Sequence, residues 1–112
     1  MEKKDGVYEE YHEDGWLKRK ETYKDGKQDG VSEEYHEDGS LSYKGTYKNG
    51  KQDGPWEWYH RDGSLESKGT FKNGKLNGVY EEYYDKGKLW KEVTYKDGEE
   101  QYDENRWFIP TR

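Results

Sequence analysis

The chain has 112 residues, enough for one domain, and only 27% of them are hydrophobic against 41% charged, which excludes a thick, two-sided core. Aromatic residues still make up 17%, with twelve Tyr and five Trp, and disordered chains are poor in such rings, so a thin, one-sided apolar layer is expected. The net charge of -6 disfavours nucleic acid and anionic membranes as partners. The lack of cysteine excludes disulfides and thiolate metal sites, and with no apolar run long enough for a signal peptide or membrane span the default compartment is the cytoplasm.

A segment of 24 residues is written four times, over 5–28, 29–52, 53–76 and 77–100, and the fourth copy is the most divergent. In the first copy Gly6-Val7-Tyr8-Glu9-Glu10-Tyr11-His12 leads into Glu13-Asp14-Gly15, then a second β-rich run from Trp16 to Lys24 ends at Asp25-Gly26. Two such runs bounded by Asp-Gly turns predict one hairpin per repeat. The first turn reads as a three-residue loop with Gly15 left-handed, and Gly39, Gly63 and Gly87 fill the same slot. The second turn poses a register problem. A two-residue Asp25-Gly26 turn pairs Tyr23 with Gln28, and keeping Val31 on the face of Tyr23 then demands irregular backbone at Gly30, Gly54 and Gly78.

With the loop at 13–15, His12 faces Trp16, Tyr11 faces Leu17, Glu9 faces Arg19 and Val7 faces Glu21. Alternation then puts Val7, Glu9, Tyr11, Leu17, Glu21 and Tyr23 on one apolar face, together with Gly45 and Gly69, over which a neighbouring ring would lie flat. The opposite face, with Glu10, Glu34, Glu82 and their lysines, reads as solvated. Trp56 and Trp58 replace Ser32 and Glu34 on that polar side and are expected to form an exposed contact patch.

Catalytic and metal chemistry find little support. His12, His36 and His60 recur two strands apart, roughly 9.5 Å at about 4.8 Å per strand, too far for one shared ion. The ladder Glu9, Glu33, Glu57, Glu81 has four equivalent acids and nothing to push two pKa values apart, so each Glu is expected to accept a hydrogen bond from a neighbouring Tyr hydroxyl or to satisfy backbone amides at a bulge. The turn lysines Lys24, Lys27, Lys48, Lys51, Lys72 and Lys75 line one edge, where they blunt and solubilise the sheet.

Thr22-Tyr23-Lys24-Asp25-Gly26-Lys27-Gln28-Asp29-Gly30, repeated at 46–54 and 70–78, resembles the Tyr-x-x-Gly-x-x-x-Gly core of MORN repeats, and the following Glu-Glu-Tyr-His-Glu-Asp-Gly is similar to the bacterial variant. The resemblance covers residues 5–100. It implies an elongated, twisted antiparallel sheet used as a scaffold for protein or lipid contacts, and some bacterial relatives carry an antitoxin label. Acidity sets this chain apart from the lipid-binding members.

The sequence therefore predicts an all-β, single-layer antiparallel meander of about eight strands, a solenoid-type array of four hairpins with residues 101–112 as a cap. No catalytic residue, cofactor or metal is expected. The expected role is binding of a partner protein, as a scaffold or an antitoxin-like neutraliser, through Trp56, Trp58, Tyr8, Tyr80, Trp90 and Trp107. Lipid headgroups on the lysine edge are the alternative, as is an acidic nucleic-acid mimic using Glu13, Asp14, Glu37 and Asp38 or the carboxylate ladder; self-association through the aromatic face is a further expectation.

Overall fold

The computed structural model describes residues 4–84 and 88–101, all strand, turn or irregular backbone with no helix. The strands are β1 (Gly6–Tyr11), β2 (Leu17–Lys24), β3 (Lys27–Tyr35), β4 (Leu41–Lys48), β5 (Lys51–Gln52), β6 (Gly54–Tyr59), β7 (Leu65–Lys72), β8 (Lys75–Leu76), β9 (Gly78–Tyr83), β10 (Leu89–Lys96) and β11 (Glu99–Gln101). They form one antiparallel sheet in chain order, open at both ends rather than coiled. β5 with β6, and β8 with β9, are single runs interrupted at Asp53 and Asn77; these two breaks and the short β11 after the fourth hairpin are why eleven strands stand where about eight were expected. The molecule measures 49 × 31 × 15 Å, and the short dimension is one sheet with its side chains. The expected cap over 101–112 lies outside the described residues except for Gln101, the last residue of β11.

Turn chemistry shapes both long edges. Asp25-Gly26, Asn49-Gly50, Asn73-Gly74 and Asp97-Gly98 all have two positive φ values (52° at each first residue, 77–85° at the second), the type I′ geometry whose twist matches that of the flanking strands. Each turn also holds to the preceding hairpin. The Gly50 amide donates to the Gln28 carbonyl and the Gly74 amide to that of Gln52, both at 2.8 Å, while the Asn49 amide reaches Asp29 at 3.1 Å. On the other edge Gly15, Gly39 and Gly63 are left-handed and their amides return to His12, His36 and His60. The fourth such glycine, Gly87, lies outside the described residues.

The face assignment is where structure and expectation part. Tyr11 pairs with Leu17, as predicted, but Glu10 pairs with Arg19, Glu9 with Lys20 and Tyr8 with Glu21, so Lys18 is an extra residue bulged out of β2. Ser42, Glu66 and Trp90 bulge at the same place in the later repeats. One added residue moves every side chain beyond it to the other face. Consequently Val7 leaves the packed face and is 57% exposed, and Tyr11 is 56% exposed. The packed face carries the row Tyr8, Glu21, Ser32, Gly45, Trp56, Gly69, Tyr80, Val93, with Tyr23, Tyr47, Phe71 and Tyr95 beside it. A second irregularity, between Glu21 and Tyr23, places Asp29-Gly30-Val31 opposite Thr22 alone; Gly30, Gly54 and Gly78 have φ of 100–119° there, so the irregular backbone lies where expected, but it leaves Val31 exposed on the reverse face and not with Tyr23.

Trp56 is therefore the core and not a surface anchor. It is 3% exposed, its indole N–H donates to the Thr46 carbonyl at 2.9 Å, and its ring lies over Gly45, where an added Cβ would stand 2.0 Å from the indole. Ser32, Gly45, Ser67 and Gly69 are buried around it, small residues flanking a large one.

Candidate partner-binding face

Trp56 holds a group of rings whose outer members stay half-exposed. Tyr43 stacks on it at 5.6 Å and Trp58 at 6.0 Å, while Tyr47 and Phe71 meet it edge-on at 5.3 and 6.0 Å; Trp58 also meets Phe71 at 6.2 Å. Towards the N-terminal end Tyr8 meets Tyr23 at 5.5 Å, and towards the other end Tyr80 meets Tyr95 at 6.1 Å. These edge-to-face and stacked pairs give the sheet three groups of rings on one side. Among the described residues no second layer covers it.

Of the candidates drawn from the sequence, Tyr8, Trp58 and Tyr80 share this face and are half-exposed, Trp56 lies beneath it, and Trp90 stacks on Tyr84 at 5.8 Å from its bulge in β10. Trp107 lies outside the described residues. The sequence reasoning missed Tyr43, Tyr47 and Phe71 as neighbours of the tryptophans. Size complementarity was the available signal: the one Trp in that row sits between two glycines, Gly45 and Gly69.

The reverse face is an ordered polar ladder. Tyr11, Tyr35, Tyr59 and Tyr83 donate their hydroxyl protons to Glu9, Glu33, Glu57 and Glu81 at 2.6–2.9 Å, and Lys44 and Lys68 pair with Glu33 and Glu81 at 3.8 Å. Burial, followed by the bond to the carboxylate, pushes the Tyr35, Tyr59 and Tyr83 hydroxyls up to about 12. The acids thus serve as acceptors for phenols, as the alternation suggested. Histidines have local partners too: Nε2 of His12 and of His60 lie 3.3 and 3.2 Å from the carbonyls of Tyr35 and Tyr83 in the next repeat. Among the described residues no group of three or more His, Asp or Glu is placed to hold a metal.

Charge is separated along the strands. Lys24 faces Lys27, Lys48 faces Lys51 and Lys72 faces Lys75 at the type I′ turns, all exposed. The opposite edge carries Glu13, Asp14, Glu37, Asp38 and Asp62. Asp38 and Asp62 accept the amide and hydroxyl of Ser40 and Ser64, and these bonds hold the Asp38 carboxyl below its ordinary range.

The sequence profile of the MORN repeat variant matches residues 4–25, 28–49, 52–73 and 76–97, each match starting on the same turn-to-turn unit. The chain belongs to the MORN repeat family. MORN repeats are non-catalytic motifs that make protein or membrane contacts, and the hairpin array described above is the form they take here. No curated protein and no solved structure matches the chain. Among the described residues no helix is long and apolar enough to cross a membrane.

Proposed function

We propose that this protein is a non-catalytic scaffold that binds a partner protein on the aromatic face, with Trp58, Tyr43 and Phe71 at the centre and Tyr8 and Tyr80 towards the ends. The observation that carries the reading is the uncovered ring cluster around Trp56. Interface centres are rich in Trp and Tyr because large rings bury much area with few torsions to immobilise. The reverse face, whose phenols and carboxylates are already paired, offers a partner less. Affinity-purified protein from the native source should retain a partner through a high-salt wash and lose it with Trp58→Ala; a partner retained by that variant overturns the assignment of the face. An antitoxin-like role is the specific form of this reading. It rests on the resemblance to bacterial relatives and predicts that co-expression with the captured partner relieves growth arrest.

A second reading rests on the three facing lysine pairs. Like charges placed directly opposite one another destabilise a ladder unless an anion lies between them. Binding there would require anionic vesicles, weaken with salt and fail with Lys48→Glu and Lys72→Glu, none of which would affect a contact made through Trp58.

A further inference from the structure

The row beside Trp56 on the aromatic face reads Glu10, Arg19, Glu34, Tyr43, Trp58, Ser67, Glu82, Lys91 across the sheet. In the first repeat Arg19 lies between two acids, its guanidinium 3.5 Å from Glu10 and 3.6 Å from Glu34. In the second the corresponding position is Tyr43, stacked on Trp56. In the third it is Ser67, buried at 6% exposure, while the counterpart of Glu34, Glu82, is kept directly opposite. On the β7 side the acid remains and the base has gone; on the β10 side the fourth repeat keeps a base, Lys91, opposite the same acid.

Beside the small Ser67 is a cleft of about 360 Å³, lined by His60, Glu66, Ser67, Tyr80, Glu82, Tyr83 and Trp90. It combines aromatic rings and a polar floor with two carboxylates, of which Glu66 lies 4.0 Å from Nδ1 of His60 and Glu82 is the one aimed at the ring side. Glu82 is oriented by the Tyr80 hydroxyl at 2.9 Å and faces Lys91 across the β9–β10 pair. Lys91, opposite Glu82 in register, places its ammonium 5.8 Å from the Trp90 ring centre, so that ring already attracts a cation from within the chain.

We infer that this cleft receives an arginine side chain from the partner protein, which takes the place that Arg19 fills in the first repeat. A guanidinium satisfies both halves of the cleft, since its plane stacks on indole and phenol while its N–H fork meets a carboxylate. The chain's net charge of -6 favours approach of a basic segment. The inference rests on the scaffold reading and adds the chemistry of one contact.

The test uses the whole protein and the peptide acetyl-Gly-Arg-Gly-amide, with citrulline replacing arginine as the neutral, isosteric control. The arginine peptide should shift the Trp90 indole N–H resonance saturably, and the citrulline peptide should bind about tenfold more weakly or worse, the loss expected for one charge-assisted bond. Glu82→Gln should weaken arginine binding by a similar factor. Ser67→Arg, which rebuilds the Arg19 arrangement inside the chain, should abolish it while the remaining amide resonances stay in place. Equal binding of the two peptides, or unchanged binding by Ser67→Arg, overturns the inference. The two readings also fail separately: a captured partner lost with Trp58→Ala but indifferent to Ser67→Arg overturns the cleft and leaves the scaffold, whereas the reverse pattern overturns the scaffold face and leaves the cleft.

Discussion

Replacing Gly45 with alanine adds one methyl group where there is no room for it. The new Cβ would stand 2.0 Å from Trp56 Cδ2, 2.2 Å from Cε2 and 2.5 Å from Cγ, against an ordinary carbon–carbon contact of about 3.5–4.0 Å. A shift of about 1.5 Å is required, and Trp56 is held on every side, by Tyr43, Tyr47, Trp58, Phe71 and its bond to Thr46. Overpacking alone costs about 1–3 kcal/mol, and complete expulsion of the ring would approach the 3–5 kcal/mol typical of deleting a buried Trp. Gly45→Ala should therefore cost about 3 kcal/mol, a large part of the ~5–15 kcal/mol that holds a domain of this size. Gly69→Ala is the matched control. Its Cβ would meet Leu76 Cδ2, a side-chain end, and Tyr80 Cδ1, in a half-exposed ring, at 3.0 Å; the shift needed is about 0.5 Å and the cost should stay near ~1 kcal/mol. Urea unfolding followed by circular dichroism measures both. The decisive comparison is the cycle with Trp56→Ser, the residue that Ser32 supplies at the equivalent place: once the indole is gone, Gly45→Ala should be nearly neutral. Additive effects in that cycle, or a Gly45→Ala cost below ~1 kcal/mol, would refute the close-approach argument.

Three further expectations concern the turns and the polar ladder. Gly50→Ala should cost about 1–3 kcal/mol through its φ of 83° alone, because the nearest atom to a new Cβ is Lys27 Cβ at an ordinary 3.6 Å; a thermal melt reads this, and an unchanged midpoint would contradict it. Tyr35, Tyr59 and Tyr83, raised from 10.0 to about 12, bind their protons more tightly when folded, so their contribution is complete below pH 10 and is lost as pH rises through about 12. Ultraviolet titration should show a late class of phenols ionising together with loss of the sheet, and tyrosines that all ionise near pH 10 in a folded protein would count against it. Tyr59→Phe removes one rung, the 2.6 Å bond to Glu57, and should cost about 1 kcal/mol in urea unfolding and remove one late phenol from the titration.

Local chemistry was legible because it is written in local letters. Asp25-Gly26 and Asn49-Gly50 name their turn type, Gly15 names its loop, and Gly30 and Gly54 mark the irregular strand entries, since each position needs a conformation that few other residues adopt. The bulge was not legible. Lys18, Ser42, Glu66 and Trp90 share no property, because a residue squeezed out of a ladder needs no particular side chain here. That one unmarked residue decided which face is packed, and so Trp56 was read as an exposed anchor when it is the centre of the core. The site inherited the error in part. Trp58, Tyr8 and Tyr80 keep their places on an accessible face, and the facing partners Tyr43 and Phe71 became visible only once the register was known.

The amide bonds from Gly50 to Gln28 and from Gly74 to Gln52 bear on how the chain comes together. Each tight turn is fastened to the hairpin synthesised just before it, and the strands pair in chain order. No step waits for a distant segment, so loop-closure entropy is met in small, nearly equal instalments. A polypeptide of this kind can assemble while still emerging from the ribosome, with the first hairpin as template and every later one docking on a finished edge. Inserting or removing one whole unit should then alter the length of the sheet while leaving its manner of growth intact.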